Sequence, residues 1–332
     1  MTLLTLTAPY HAAPLRKARS DMDIILHLGA HRTASTSFQH YMRRNAVQLR
    51  SQGTAFWGPN ETRNGLLSGA IPVPGRITAP DQMQRARGRV ALKLSRLKRA
   101  GVTRLIVSDE NLIGSPRQNL RNMRLYAAVG ERMARYHAAL GGNIAKVVFG
   151  IRAQEAYWAS ALAFTLERGG AVPSPAELRH MAHSPRSWRD VITDLACAMP
   201  GTQIAVLPHE RYASLPEAKL AVMTGQSNPP RRNAREWLNR RPPITALRRV
   251  LHDRGEDPDQ LAYQGGDWHP FDDAQRAALH EAYMDDLFWL RAGADGLAYL
   301  TDETAMPGTG LTPSAIATTK GQRDDIQERR MA

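Results

Sequence analysis

The stretch Leu28-Gly29-Ala30-His31-Arg32-Thr33-Ala34-Ser35-Thr36-Ser37-Phe38-Gln39 gathers four hydroxyls, an imidazole and one permanent cation where a β-branched run gives way to an amphipathic one. A strand that ends in small and hydroxyl residues and feeds a helix N-terminus presents free backbone N–H groups and the positive end of the helix dipole to an anion. Arg32 adds a fixed charge there, and Thr33, Ser35, Thr36 and Ser37 add hydroxyl donors. The competing reading is an ordinary helix start with Ser35 or Thr36 as N-cap. An ATP-type phosphate loop is excluded, because Gly and Lys would be needed where Ala34 and Ser35 stand. Glu110, just past a second apolar run, faces the same crevice if both runs are parallel strands, which makes it a candidate general base; His31 is the other.

Such groups need a rigid sheet edge to hold them. Strand-like runs occur at 24–28, 104–107, 146–151 and 203–207, each apolar enough to be buried on both faces. The intervals are long enough for crossover helices: Phe38, Met42 and Leu49 space one, and Tyr157, Ala161, Phe164 and Arg168 space another. The expected fold is α/β, three layers with a central parallel sheet flanked by helices. One domain over 22–300 is expected, between disordered extensions at 1–21 and 301–332. Met22, directly before the first strand, is a candidate second translation start. Pro- and Gly-rich passages at 58–80, 169–185 and 228–243 read as surface excursions of the kind that build acceptor pockets.

The loop resembles the 5′-phosphosulfate loop of sulfotransferases, particularly bacterial members reading Gly-x-His-Lys-Thr-Gly-Thr-Thr-Ser-Leu-Gln. The resemblance continues in order along the chain. Lys146-Val147-Val148-Phe149-Gly150-Ile151-Arg152 followed by Ser160 is similar to the family's 3′-phosphate site. Ile106-Val107-Ser108-Asp109-Glu110-Asn111-Leu112 looks like its central strand and turn. Ile204-Ala205-Val206-Leu207-Pro208-His209-Glu210-Arg211 looks like its late strand, with Glu210 read as an anchor for the following loop. Tyr283 to Leu290 resembles its C-terminal helix, and Gly265-Gly266-Asp267-Trp268-His269-Pro270-Phe271 its nucleotide-closing Gly-Asp-Trp stretch, with Trp268 read equally as a core aromatic.

The resemblance implies a P-loop-like sulfotransferase that uses 3′-phosphoadenosine 5′-phosphosulfate as co-substrate. It implies Arg32, Thr33, Ala34, Ser35, Thr36 and Ser37 at the 5′ end and Arg152 and Ser160 at the 3′ end. Arg32, Glu110 and His31 would be catalytic, and the acceptor would be a hydroxyl- or amine-bearing small molecule or glycan. Two positions depart from the family: Arg32 replaces its Lys and Ala34 its Gly. A planar fork is not a movable point donor, and Ala costs about 1 kcal/mol where positive φ is required. A donor-binding homologue with impaired transfer is therefore the second reading.

Composition narrows the field further. The 332 residues carry 44 Lys plus Arg against 31 Asp plus Glu, which clusters in two places. From Arg76 to Arg104 nine basic residues face Asp81 alone; from Arg231 to Arg254 eight arginines face Glu236 and Asp253. Such patches concentrate anionic ligands and permit an acidic glycan. Polyanion or nucleic-acid binding is the third reading, set back by an aromatic content of only 6% with no stacking motif. The lone Cys197 allows neither an intrachain disulfide nor a cysteine metal cage, and the histidines lack metal-ligand spacing. No metal is expected, and a reducing, cytoplasmic setting is. No Gly-x-Ser-x-Gly elbow supports a serine hydrolase. In the first 20 residues Leu3-Leu4-Thr5-Leu6 precedes Arg16, Lys17 and Arg19, the reverse of a signal peptide.

Overall fold

The computed structural model describes residues 22–261 and 265–301. The expectations for 1–21 and 302–332 lie outside the described residues; Thr301, expected to open the disordered tail, is instead buried and donates to the Val206 carbonyl. The four apolar runs form parallel strands β1 (Asp23–Gly29), β3 (Arg104–Ser108), β4 (Ile144–Ile151) and β5 (Gln203–Pro208), joined by two short edge strands, β2 (Thr54–Trp57) and β6 (Tyr299–Leu300). The sheet order is β2-β3-β1-β4-β5-β6, parallel throughout, so the α/β architecture with a central parallel sheet is as expected.

Alternation along the strands divides the core into two layers. On one face Ile24, Leu26 and Leu28 of β1 pack with Leu105, Val107, Val147, Phe149, Ile151, Ile204 and Val206 beneath Trp158 and Trp188. On the other, Ile25, Ile106, Val148, Ala205 and Leu207 meet Phe38, Tyr41 and Met42 of the helix Ser35–Arg44. Both faces are covered, which is why the strands read as continuous apolar runs rather than alternating ones.

Register fixes where chemistry can gather. His27 pairs with Ser108, Gly29 with Gly150, and Ile151 with Pro208, so the carboxyl ends of β1, β3, β4 and β5 share one edge. From β1 the chain runs to the edge strand β2, returns to β3 beside β1, then crosses to the other side and builds outward through β4, β5 and β6. The switch point therefore lies at β1 and β4, where an open parallel sheet leaves its ligand crevice. Gly29 and Gly150 let the loop after β1 settle onto that edge. A Cβ at Gly29 would collide with Ser35 Oγ and lie 2.8 Å from Thr33 Oγ1, and one at Gly150 would lie 3.2 Å from Thr33 Oγ1.

The passage 169–185 is not wholly an excursion, since Pro175–Ala182 is a helix. Its start is a capping box in which Ser174 accepts from Glu177 N–H and the Glu177 carboxylate accepts from Ser174 N–H, with Pro175 at the first helical position. The passage 228–243 lacks regular structure but is not a free excursion: Pro230 and Arg232 carbonyls accept from Tyr41 Oη (2.6 Å) and Asn45 Nδ2 (3.0 Å). It runs as a strap along the helix Ser35–Arg44. Among the described residues, no helix is long and apolar enough to cross a membrane.

Candidate anion-binding site

The loop after β1 is held from both flanks. Ala30 N–H donates to the Gly150 carbonyl at 2.8 Å, and Thr33 Oγ1 donates back to the Ala30 carbonyl at 2.5 Å. Arg32 (φ 68°) and Ala34 (φ 62°) both take left-handed backbone, and the Thr33 N–H between them donates to the Ala30 carbonyl at 3.2 Å. Ala34 is the N-cap of Ser35–Arg44, and no side chain caps that helix, so the ordinary Ser35 or Thr36 cap is not what forms. The first-turn N–H groups stay available to an anion.

Ala34 thus occupies the conformation for which glycine is suited. Left-handed backbone costs an L-residue roughly 1–2 kcal/mol, partly offset by the extra unfolded-state freedom of glycine, roughly 0.4–1 kcal/mol. Ala34→Gly is expected to stabilise the protein by about 0.5–1 kcal/mol, read as a higher urea midpoint with unchanged slope. A lower midpoint would show that the methyl group packs favourably.

Four guanidinium groups meet beside the loop. Arg32 Nε donates to Ser160 Oγ (3.0 Å), Arg32 Nη2 to the Asn239 carbonyl of the strap (2.9 Å), and Arg152 Nη1 to the Arg32 carbonyl (3.0 Å). Burial and then the charges of Arg152, Arg168 and Arg241 lower the Arg32 pKa to about 10. Arg152 is lowered by burial while Glu210 and Asp267 act in the opposite sense. It does not pair with Glu155 or Glu167, which hold His280 and Arg168 instead. Ser160 does not bond back into its own helix; it orients Arg32.

Among the described residues, three buried polar groups around this cluster have no hydrogen-bond partner: Ser35 Oγ in the loop, His209 Nδ1 just past β5, and Nε and Nη2 of Arg241 at the end of the strap. Buried polar atoms are nearly always satisfied, and orphans gathered at one edge mark a place where a ligand completes the bonding. Arg241 Nη1 has only Asp267 nearby, at 3.7 Å. Asp267 belongs to the Gly265–Trp268 segment, whose Trp268 is a core aromatic, 5% exposed.

The strap closes over the loop mouth. Leu238 N–H donates to Ser37 Oγ (2.9 Å), and Asn239 Nδ2 donates to Thr36 Oγ1 (3.1 Å). Each hydroxyl thereby has a lone pair engaged while its proton stays free to donate, which is the orientation an anion needs.

On the β3 side the groups are of a different kind. Glu110 Oε2 accepts from Gln39 Nε2 (2.7 Å) and Oε1 from Arg63 Nη2 (3.0 Å), with the side chain 16% exposed. Asp109 is buried, accepting from Thr62 Oγ1 and Arg63. His31 has both ring nitrogens engaged: Nε2 with Asn111 Oδ1 (3.0 Å) and Nδ1 with Tyr126 Oη (2.8 Å), which also accepts from His31 N–H (2.8 Å). Burial lowers its pKa, so His31 is a neutral fastener between the first and third strand ends. Glu210 is an anchor, but not of the loop after its own strand: it accepts from Ala153 N–H (2.9 Å) after β4 and from Tyr283 Oη (2.8 Å) of the C-terminal helix.

The loop residues 32–37, Arg152 and Ser160 are thus together, with Glu110 and His31 on the adjoining strand end. Arg241, Asn239, Gln39 and Tyr126 were not singled out by the sequence; Arg241 lay in a run of arginines with nothing to separate it from its neighbours. Among the described residues no group of His, Cys, Asp and Glu is arranged to hold a metal ion. No family model, curated protein or solved structure matches the chain.

Proposed function

We propose that this edge binds 3′-phosphoadenosine 5′-phosphosulfate and that the protein is a sulfotransferase acting on a hydroxyl or amine acceptor, a carbohydrate among the candidates. The observation that carries the reading is Arg241: among the described residues its Nε and Nη2 are buried without a hydrogen-bond partner beside Arg152 and Arg32, and Asp267 approaches only Nη1, at 3.7 Å. A buried cation left unsatisfied is costly unless an anion completes it. A second anion subsite lies in the uncapped loop at 32–37. An arginine cluster and an uncapped loop on one strand edge suit a donor with anionic groups at both ends.

In the proposed reaction the acceptor oxygen attacks sulfur, the bond from sulfur to the bridging phosphate oxygen breaks, and 3′,5′-adenosine bisphosphate leaves. Glu110 Oε1 takes the acceptor proton, exchanging its bond to Arg63. Positioning and fixed cations supply the acceleration in such a displacement. The loop N–H groups and the free protons of Thr36 and Ser37 face the charge developing at the 5′ end. Arg32 and Arg152 hold the 3′-phosphate, with Ser160 orienting Arg32.

The test is release of 3′,5′-adenosine bisphosphate from the donor in the presence of a panel of hydroxyl and amine acceptors, carbohydrates included. Glu110→Gln is expected to lower transfer about a hundredfold, the scale of a lost general base, with donor affinity within about twofold. Equal transfer by the variant excludes Glu110 as the base. The second reading, a nucleotide binder with slow transfer, is favoured by one observation: the Arg32 guanidinium is committed to Ser160 and Asn239 rather than to the loop mouth. Donor binding without release, with release gained in Arg32→Lys, would establish it.

A further inference from the structure

Beneath the loop lies a lysine that no ion pair explains. Lys219, on the helix Pro216–Thr224, is 4% exposed, and among the described residues its ammonium has one hydrogen-bond partner, the Thr33 carbonyl at 3.2 Å. The acid of its own helix, Glu217, is turned to Arg235 at 2.6 Å. The titratable groups facing it are His27 on β1 and His209 after β5, and neither is an anion. Burial lowers the pKa of both, with Lys219 contributing to each; Arg152 adds to the effect on His209. His27 is tied to Ser108 Oγ at 2.8 Å, and the His209 ring is hydrogen-bonded to the backbone at Thr33.

Among the described residues, therefore, no carboxylate compensates the cation that lies under the very peptide that turns the loop. A buried charge of this kind is destabilising on its own account, and a bound anion on the other side of the peptide would compensate it. We infer that Lys219 is a positioning residue of the anion site, holding the Thr33 carbonyl down so that the following N–H groups point outward, and adding its charge to the field at the loop. The inference rests on the reading of the loop as the 5′ anion subsite.

Two consequences of opposite sign separate this role from a structural one. Burial lowers the Lys219 pKa from 10.5 to about 8. A lysine whose folded pKa lies below its unfolded value opposes folding while charged, fully below about pH 8, and the penalty fades as pH rises toward 10.5. Lys219→Met keeps the chain length and removes the charge. It is expected to raise the melting temperature at pH 7 while weakening 3′,5′-adenosine bisphosphate binding roughly tenfold to thirtyfold, the effect of one poorly screened charge near an anion. A lysine that merely supports packing would lower both.

The experiment is calorimetric titration of wild type and Lys219→Met with 3′,5′-adenosine bisphosphate from pH 6.5 to 9, beside melting curves of the apo proteins. Wild-type affinity should fall as pH passes about 8, while the affinity of the variant stays flat until Arg32 titrates near 10. Variant binding equal to wild type, a flat wild-type profile, or a variant that melts lower or fails to fold overturns the inference and leaves the anion site standing. No binding by the wild type at any pH overturns the anion site itself and the inference with it.

Discussion

Arg152→Ala should weaken binding of 3′,5′-adenosine bisphosphate about a hundredfold while changing affinity for 5′-AMP by no more than a few-fold. Arg152 reaches the edge from the end of β4, and its guanidinium is fixed at one corner by the Arg32 carbonyl. The remaining donors face a cluster in which, among the described residues, no carboxylate pairs with it within 4 Å. A charge-assisted, forked contact to a phosphate contributes roughly 1.5–3 kcal/mol, and its removal also leaves Arg241 and Arg32 facing the ligand from a looser frame. The comparison of the two nucleotides is the informative part. Equal losses for both would mean that Arg152 acts only through the Arg32 carbonyl, as a brace for the loop. Arg152→Lys, which keeps the charge and discards the fork, should fall between, near tenfold.

Tyr126→Phe is expected to destabilise the protein by roughly 2–4 kcal/mol and to weaken nucleotide binding as well. The Tyr126 hydroxyl is fully buried; it accepts from His31 N–H and bonds to His31 Nδ1, both at 2.8 Å, with Tyr157 Oη at 3.4 Å. Its deletion orphans a backbone N–H and a ring nitrogen in a site with no access for water, and each such group costs about 1–3 kcal/mol. The aromatic packing on Trp188 and Tyr157 survives the change, so the loss reports the hydrogen bonds. Chemical denaturation gives the first number and titration the second. A variant as stable as wild type would show that His31 is held by Asn111 alone.

The parts of the fold that were legible in the sequence are those where one physical signal dominates. The four central strands are buried on both faces and therefore wrote themselves as unbroken β-branched runs, with Ile24–Leu28 and Lys146–Ile151 the plainest. β2 and β6 escaped because they are edge strands of four and two residues, too short for any period. The helix Pro175–Ala182 was readable in principle, from Ser174, Pro175 and Glu177, but was masked by the surrounding Gly and Pro. At the site, residues 28–37 were legible because strand end, hydroxyls and helix start are consecutive in the chain. Asn239 and Arg241 were not, since they reach Thr36, Arg32 and Asp267 only through the path of a strap without regular structure. Lys219 carries no local signature either: in the sequence it is one lysine in a short, mostly apolar segment, and only the packing of its helix under Thr33 distinguishes it.

Ala34 shows how a sequence departure and a structural observation combine. The position takes φ 62° with alanine in place, so the loop adopts its turn despite the methyl group rather than for want of need. Arg32 departs in a different way: its guanidinium reaches across to Ser160, linking the loop after β1 to the helix after β4.

The most direct test of the account is calorimetric titration of the purified protein with 3′,5′-adenosine bisphosphate beside 5′-AMP. The account predicts tight, one-to-one binding of the bisphosphate and much weaker binding of AMP, because Arg32, Arg152 and Arg241 act on the 3′-phosphate that AMP lacks. Failure to bind either nucleotide, or equal binding of both, would contradict it.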